Sequence, residues 1–501
     1  MTNITRRTLL IGSVGVTGAL TVGGLVGCGR SRTAVGAGSA AVLSTEATRR
    51  PTGQRVVTAQ LNPRAASIDL GGLSMATWAY GETVPGPLLR ASAGDRLRVA
   101  VTNTLTAPTS VHWHGIALRN DMDGVPGITQ KPIDPGTGFT YDFTAPEPGT
   151  YFYHPHSGVQ LDRGLHGVLI IDDPHEPGQY DQEWIVVLDD WIDGTGTTPD
   201  EVLKNLQTTN GSGGMGGGMG GMGGMGGSGI GESMQSPLLG GAGDIAYPHY
   251  LVNGRIPTSP VTLAGKPGQR VRMRVVNAGS DTAFRLALGG HRMTVTHTDG
   301  YPVEPAVTDA LLIGMGERFD VLVTLADGAF PLVAAAEGKS GQGMAVVRTS
   351  PAAAAPAATA TPSELTGRVM LGTDLLAAAS SALPDRGVDT THDLVLGGSM
   401  AGYRWTLNGK SFPDTDPLEV RQGQRVRLRF RNHTMMFHPM HVHGHTFALT
   451  AGGARKDTLI VRPMQTVEVD LQADNPGQWA THCHNIYHAE AGMMTTLSYQ
   501  S

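Results

Sequence analysis

Cysteine is nearly missing from this chain: Cys28 and Cys483 are the only two among 501 residues. If Cys28 carries a modification, no disulfide can form within the chain, and the other thiol is left to serve as a ligand or nucleophile. Beyond the first 28 residues there is also no apolar stretch long enough to cross a bilayer, so the bulk reads as a soluble globular body of roughly three domains. Basic residues are not in excess either. The formal charge is −6, which excludes the positive footprint that nucleic-acid binding requires. Glycine and proline, by contrast, are plentiful at 70 and 31 residues. They separate short runs rich in Val, Thr, Leu and Arg, the composition of an all-β chain.

The N-terminus has a character of its own. Arg6 and Arg7 precede an uncharged stretch of small and apolar residues ending at Leu25-Val26-Gly27-Cys28. The arginine pair resembles a Tat export signal, and the last four residues resemble the box at which a bacterial lipoprotein is cut and its new terminal cysteine acylated. Residues 1–27 are therefore expected to be a signal and residues 28–51, small and polar, a flexible tether. The protein is then expected to be held by lipid on Cys28 at the outer face of the cell membrane.

Three similar segments recur far apart: GDRLRVAVTN (94–103), GQRVRMRVVN (268–277) and GQRVRLRFRN (423–432). Each alternates with period two, as a half-buried strand does. A second pair matches as well, PGTYFYHPH (148–156) and PGQWATHCH (476–484). The simplest account is three copies of one β-domain, 52–178, 179–355 and 356–501. Within the second copy, residues 211–229 are almost entirely glycine and methionine, with Met215, Met219, Met222 and Met225; so much glycine predicts a mobile surface insertion.

Of 18 histidines, eight fall in four HxH pairs: His112 and His114, His154 and His156, His441 and His443, His482 and His484. Side chains two apart on a strand share a face, so each pair offers two imidazoles to one point, which is metal-ligand spacing. All four pairs lie in the first and third copies, and the second copy reads as a spacer. Cys483 lies between His482 and His484 and must face away from both. Its thiolate can meet His438, His488 and Met493, and two imidazoles with a thiolate and a weak axial thioether make a blue-copper arrangement suited to one-electron transfer. Zinc competes for such ligands, but a structural zinc rarely takes a single Cys with Met, and eight further imidazoles would go unused. The tripeptide 482–484 would wire the two kinds of site together.

At these residues the chain resembles the three-domain multicopper oxidases, the family of laccases, bacterial copper-efflux oxidases and ferroxidases. All four of the family's motifs are present: HWHG, HPH, HPMHVHGH and HCHNIYHAEAGM. The likeness is closest to the lipoprotein members of actinobacteria. It implies three cupredoxin-like Greek-key β-sandwich domains and four coppers per chain. Carried over residue by residue, His438, Cys483, His488 and axial Met493 hold the type 1 copper, and His112 and His441 the type 2. One type 3 copper falls to His114, His154 and His484, the other to His156, His443 and His482. Pro155 stands where the third domain has Cys483, so the first domain should lack a type 1 copper.

The resemblance also implies an acid near the trinuclear cluster, and Asp123 matches it. Ala489 and Glu490 follow the type 1 histidine, where some members carry an acid one residue earlier. The electron donor is expected to be Cu(I), since thioethers prefer it and the Met/Gly insertion offers four. Met436, two residues before His438, matches a substrate ligand of the copper-efflux oxidases, although Thr434 replaces the acid those enzymes place upstream. Dioxygen is the expected acceptor, and phenols or Fe(II) are the alternative donors. A non-catalytic copper-binding scaffold is the rival from another class.

Overall fold

A computed structural model describes residues 33–176, 179–209 and 234–501. The expected signal, Cys28 and the insertion 211–229 with its four methionines lie outside the described residues.

The three recurring segments become the strands Arg96–Thr102, Arg270–Asn277 and Arg425–Asn432, and each holds the same place in its sheet. Each runs parallel to one neighbour (Val56–Leu61, Gln182–Trp191 or Thr390–Ser399) and antiparallel to another (Gly138–Thr144, Arg318–Thr324 or Thr466–Gln472). The period-two pattern is why: Leu97, Val99 and Val101 are buried at 2, 0 and 2% exposure while Arg98 and Ala100 between them face the other way; in the second copy the expected half-exposed face is covered too, with Arg272 and Arg274 buried on Asp320. The repeated Asn explains itself here. Asn103, Asn277 and Asn432 each accept from the backbone N–H two residues on and donate Nδ2 to a carbonyl in or beside the facing sheet, at Ile133, Ile313 and Val461. An Asx turn thus ends each strand and ties two layers together.

Each segment builds two facing sheets. The first has Val56–Leu61, Arg96–Thr102 and Gly138–Thr144 against Leu89–Ser92, Gly167–Asp172, Gly149–His154 and His112–His114. The second has two six-stranded sheets, and its last strand, Val369–Met370, pairs back onto Ala310–Ile313. The third has a six-stranded sheet facing a five-stranded one of order Leu418–Val420, Met494–Tyr499, Gln478–Cys483, His438–Val442 and Thr458–Val461. Such two-sheet packing is that of an all-β sandwich, with the apolar faces turned inward.

The expected tether is partly wrong. Residues 40–49 form the helix Ala40–Arg49 with Val42 and Glu46 buried. The Glu46 carboxylate accepts from Thr144 at both its backbone N–H and its hydroxyl, at 3.0 and 2.8 Å. Ala34 bridges Gln500, and Val35 donates its N–H to the Tyr499 carbonyl. A run of small residues read as flexible is helical because alanine has a high helix propensity and one acid finds buried donors.

Candidate metal centre

The two HxH strands of the first segment are neighbours. His112–His114 pairs antiparallel with Gly149–His154, with His112 opposite His154; in the third segment His441 stands opposite His482 in the same way. Alternate side chains share a face, so each sheet shows imidazoles on one side and another residue on the reverse. In the first segment that residue is Trp113, fully buried. In the third it is Cys483, opposite Met440 in the core.

The two histidine faces meet. Ring nitrogens of His114, His154 and His484 lie within 4.8 Å of one another, as do those of His156, His443 and His482 and those of His112, His114 and His441. Each set mixes the first and third segments. Five of the rings donate Nδ1–H to oxygen. His112, His154, His441 and His482 give it to the carbonyls of Asp123, Pro155, Asp457 and Cys483 at 2.9, 2.9, 2.9 and 2.8 Å, and His443 gives it to the Asp123 carboxylate at 3.1 Å.

Every such bond leaves Nε2 as a bare lone pair. On His112, His154 and His441 that atom is buried without a partner, and the Nε2 atoms of His443 and His482 face each other at 2.9 Å with that of His156 at 3.4 Å. Converging lone pairs repel unless a cation stands among them, so these residues fit a metal cluster. Burial, reinforced by the neighbouring imidazoles, holds His154, His156, His443 and His484 well below the usual histidine range and His482 at about 3. The rings are therefore neutral, the form that binds metal.

Two buried carboxylates knit the segments together. Asp123 reaches His112 of the first segment at 3.2 Å and His443 of the third at 3.1 Å. Asp457 reaches His114 of the first at 3.1 Å and His441 of the third at 3.4 Å. Burial would push the Asp457 carboxyl up, but the Arg318 guanidinium holds it well below the usual carboxylate range. Asp123 was in view from the sequence and Asp457 was not, since nothing in ARKDTLIV relates it to a histidine 343 residues earlier.

A second set lies on the reverse of the strand that carries His482 and His484. Cys483 Sγ is 3.6 Å from His438 Nδ1 and 3.7 Å from His488 Nδ1, which are 3.1 Å apart. The centre of that triangle is roughly 2 Å from every corner, a metal–ligand distance. Burial pushes the Cys483 thiol up, so its thiolate needs a bound cation. Met493 is fully buried, and its carbonyl accepts from the Cys483 N–H.

The outer ring nitrogens of this set are engaged too: His438 Nε2 with Thr434 Oγ1 at 2.9 Å, and His488 Nε2 with Asp244 Oδ2 at 2.8 Å. Asp244 comes from the second segment and was not legible in the sequence. Met436 is half-buried beside the Gly241 backbone, and Met435 is 71% exposed. Glu490 stands on the wall of a cavity of about 500 Å³ that reaches His156, between Trp78, Gln160 and Phe412. Of the expected site residues, Met215, Met219, Met222 and Met225 fall outside the described residues.

Three family models described as multicopper oxidase match the chain, over residues 64–176, 227–352 and 388–501. The chain is 52% identical over 486 residues to multicopper oxidase MmcO of Mycobacterium tuberculosis, covering 95% of this chain and 94% of that protein. It is 29% identical to the copper resistance protein A homolog of Pseudomonas syringae pv. tomato, over 85% and 89% of the two. Among solved structures it is similar to the laccase from Botrytis aclada, with a TM-score of 0.72 and 26% identity over 89% of this chain and 88% of that one.

Proposed function

We propose, given that the chain belongs to the multicopper oxidase family, that it takes electrons one at a time from Cu(I) and delivers them to dioxygen through four coppers. The family makes it a copper oxidoreductase with dioxygen as acceptor. The assignment proposed here is one type 1 copper at His438, Cys483, His488 and Met493, one type 2 at His112 and His441, and two type 3 at the remaining six histidines. Copper, when bound, supplies reversible one-electron chemistry and a centre at which dioxygen is reduced.

The chain's own residues organise that chemistry. Cys483 sits between His482 and His484, so its side chain and two peptide units form a covalent route for electrons between the two sites. Trp405 lies over His488 at 4.1 Å and His438 at 5.3 Å between ring centres, and the Cys483 thiol is fully buried. Reducing one dioxygen to two waters takes four electrons and four protons. Asp123, buried between His112 and His443, is the group proposed to hold and pass a proton there.

Cu(I) as donor rests on one juxtaposition: Thr434 is bonded to the outer nitrogen of His438, and two residues on, Met436 offers a soft neutral thioether beside it. The copper resistance protein A relatives favour the same donor. The laccase relatives make a phenol the second reading. The test compares kcat/KM for Cu(I), Fe(II) and a dimethoxyphenol on the wild type and on Met436→Leu. Cu(I) should be the best donor and should suffer most from M436L; a phenol preferred by tenfold, with M436L indifferent, defeats the proposal.

The domain division 52–178, 179–355 and 356–501 is proposed on the ladders, which close within these ranges apart from Val369–Met370. Export by the Tat route and acylation of Cys28, which would hold the enzyme on the outer face of the cell membrane, are proposed from the sequence of residues 6–28. Mass spectrometry of the mature N-terminus tests this, and an unmodified Cys28 ends it.

A further inference from the structure

The second segment carries no HxH pair, yet its loop 314–317 reaches the histidine cluster directly, and Arg318, which opens the next strand, reaches it through Asp457. At Gly316, with φ at +83°, an added Cβ would lie 2.9 Å from His114 Cε1 and 2.9 Å from His484 Cδ2. The backbone of this segment is therefore packed directly on two rings that face each other from the first and third segments. Two residues on, Arg318 is wholly buried and places its guanidinium squarely on Asp457, with the two terminal nitrogens donating to Oδ1 and Oδ2 at 2.7 and 2.6 Å. Its Nε donates to the Thr150 carbonyl of the first segment at 3.1 Å. Arg318 thus joins all three segments.

The support is itself supported. Asp299 Oδ1 accepts the Arg318 N–H at 2.9 Å, and Asp299 Oδ2 accepts the backbone N–H groups of Asp457 and Thr458 at 3.2 Å each. Lys456 reaches Asp299 and Glu317 at 3.1 Å each. These five charged side chains are at most 1% exposed. Buried ion clusters are poor glue, because desolvation consumes most of the attraction and apolar side chains of similar size pack as well. What such a cluster adds is direction: a bidentate arginine leaves a carboxylate one orientation. Here that orientation turns Asp457 Oδ1 to His114 Nε2 at 3.1 Å, with the Thr458 hydroxyl, 2.8 Å from the same oxygen, touching both His114 Nε2 and His441 Nδ1 at 3.0 Å.

We infer that Arg318 is a positioning residue for the copper cluster: acting through the Asp457 carboxylate, it fixes the tautomer of His114 and the ring angle of His441, so that the second segment governs how firmly the type 2 copper is held. The inference rests on the ligand assignment proposed above. With Asp457 so held, His114 presents Nδ1 to the metal, and His441, its Nδ1–H on the Asp457 carbonyl, presents Nε2; with the carboxylate free to turn, His114 can exchange tautomers and His441 loses the fixed Oδ1 and Thr458 hydroxyl that set its tilt. Outer partners of metal-bound histidines commonly change metal retention by ten- to a hundredfold.

The test uses the full-length, copper-loaded protein. Arg318→Lys keeps the charge and removes the fork. After dialysis against a weak chelator, R318K should lose its type 2 electron paramagnetic resonance signal at least tenfold faster than wild type, while the blue absorbance of the Cys483 site, on the far side of the strand, persists. A merely structural loss would weaken both signals together. Should R318K not accumulate as folded protein, Asp299→Asn takes its place. It leaves the guanidinium and loosens the Asp457 backbone, so a smaller but selective loss is expected.

Wild-type retention of type 2 copper in whichever variant folds overturns the inference, and so does parallel loss of both signals. Wild-type protein that never binds about four coppers fails the underlying assignment instead, which the copper count of the control shows separately.

Discussion

A thiol in an apolar core is normally inert, and Cys483 is fully buried with Met440 across the strand and Met493 bonded to its backbone. Only a cation can call out its thiolate. Cys483→Ser should therefore lose the intense blue band and all oxidase turnover, while the copper signals of the histidine cluster remain; absorption and paramagnetic resonance spectra of loaded C483S check this, and a surviving blue band would refute the ligand.

A second residue, which is not a metal ligand, gives a pH prediction. Asp190 is buried, with its oxygens accepting from the Ser280 and Asp281 N–H groups at 2.7 and 3.0 Å. Burial pushes its carboxyl up to about 6 against the pull of Lys339. A raised folded value means stability that is present below the unfolded value, near 4, and lost as pH rises through 6. Asp190→Asn cannot titrate, so between pH 4 and 7 wild type should fall relative to D190N by about 3 kcal/mol. Parallel denaturation profiles for the two would contradict the burial argument. At this scale the sequence was legible wherever two residues on one strand act together, as in the HxH pairs, because period two converts spacing into a shared face. Asp457, Asp244 and Arg318 were not legible, since each meets its histidine or carboxylate across segments and no local pattern encodes that meeting.

Among the elements, the recurring Arg-rich strand is the most readable, because its terminal Asn does the same job three times. The helix Ala40–Arg49 is the least readable. Small residues are compatible with both tether and helix, and the decision falls to Glu46, whose donors lie on a strand about a hundred residues away. The insertion 211–229 invites a prediction of its own. It precedes the segment 235–245, in which Gly241 bridges Met436 and Asp244 is bonded to His488. Deleting it should lower Cu(I) turnover several-fold and leave turnover of a bulky phenol within twofold. Equal loss on both donors would count against capture of Cu(I) by its methionines.

For the molecule as a whole, the first and third segments meet through histidines whose ring nitrogens face each other, His156 and His482 at 3.4 Å and His114 and His484 at 3.2 Å. Copper should therefore stabilise the folded state by binding across that boundary. Stripping it with chelator is expected to lower the melting temperature by roughly 5 °C or more, with recovery on reloading. Scanning calorimetry of apo and loaded protein checks this, and coincident transitions would show that the segments need no metal to stay together.

The N-terminal fastening has a consequence for how the sandwiches are held. Ala34 and Val35 are stitched to Gln500 and Tyr499, and Glu46 is bonded to Thr144, so the residues ahead of the first sandwich work as a belt from the last strand of the third segment to a strand of the first. A protease that severs this belt would loosen two sandwiches with one cut.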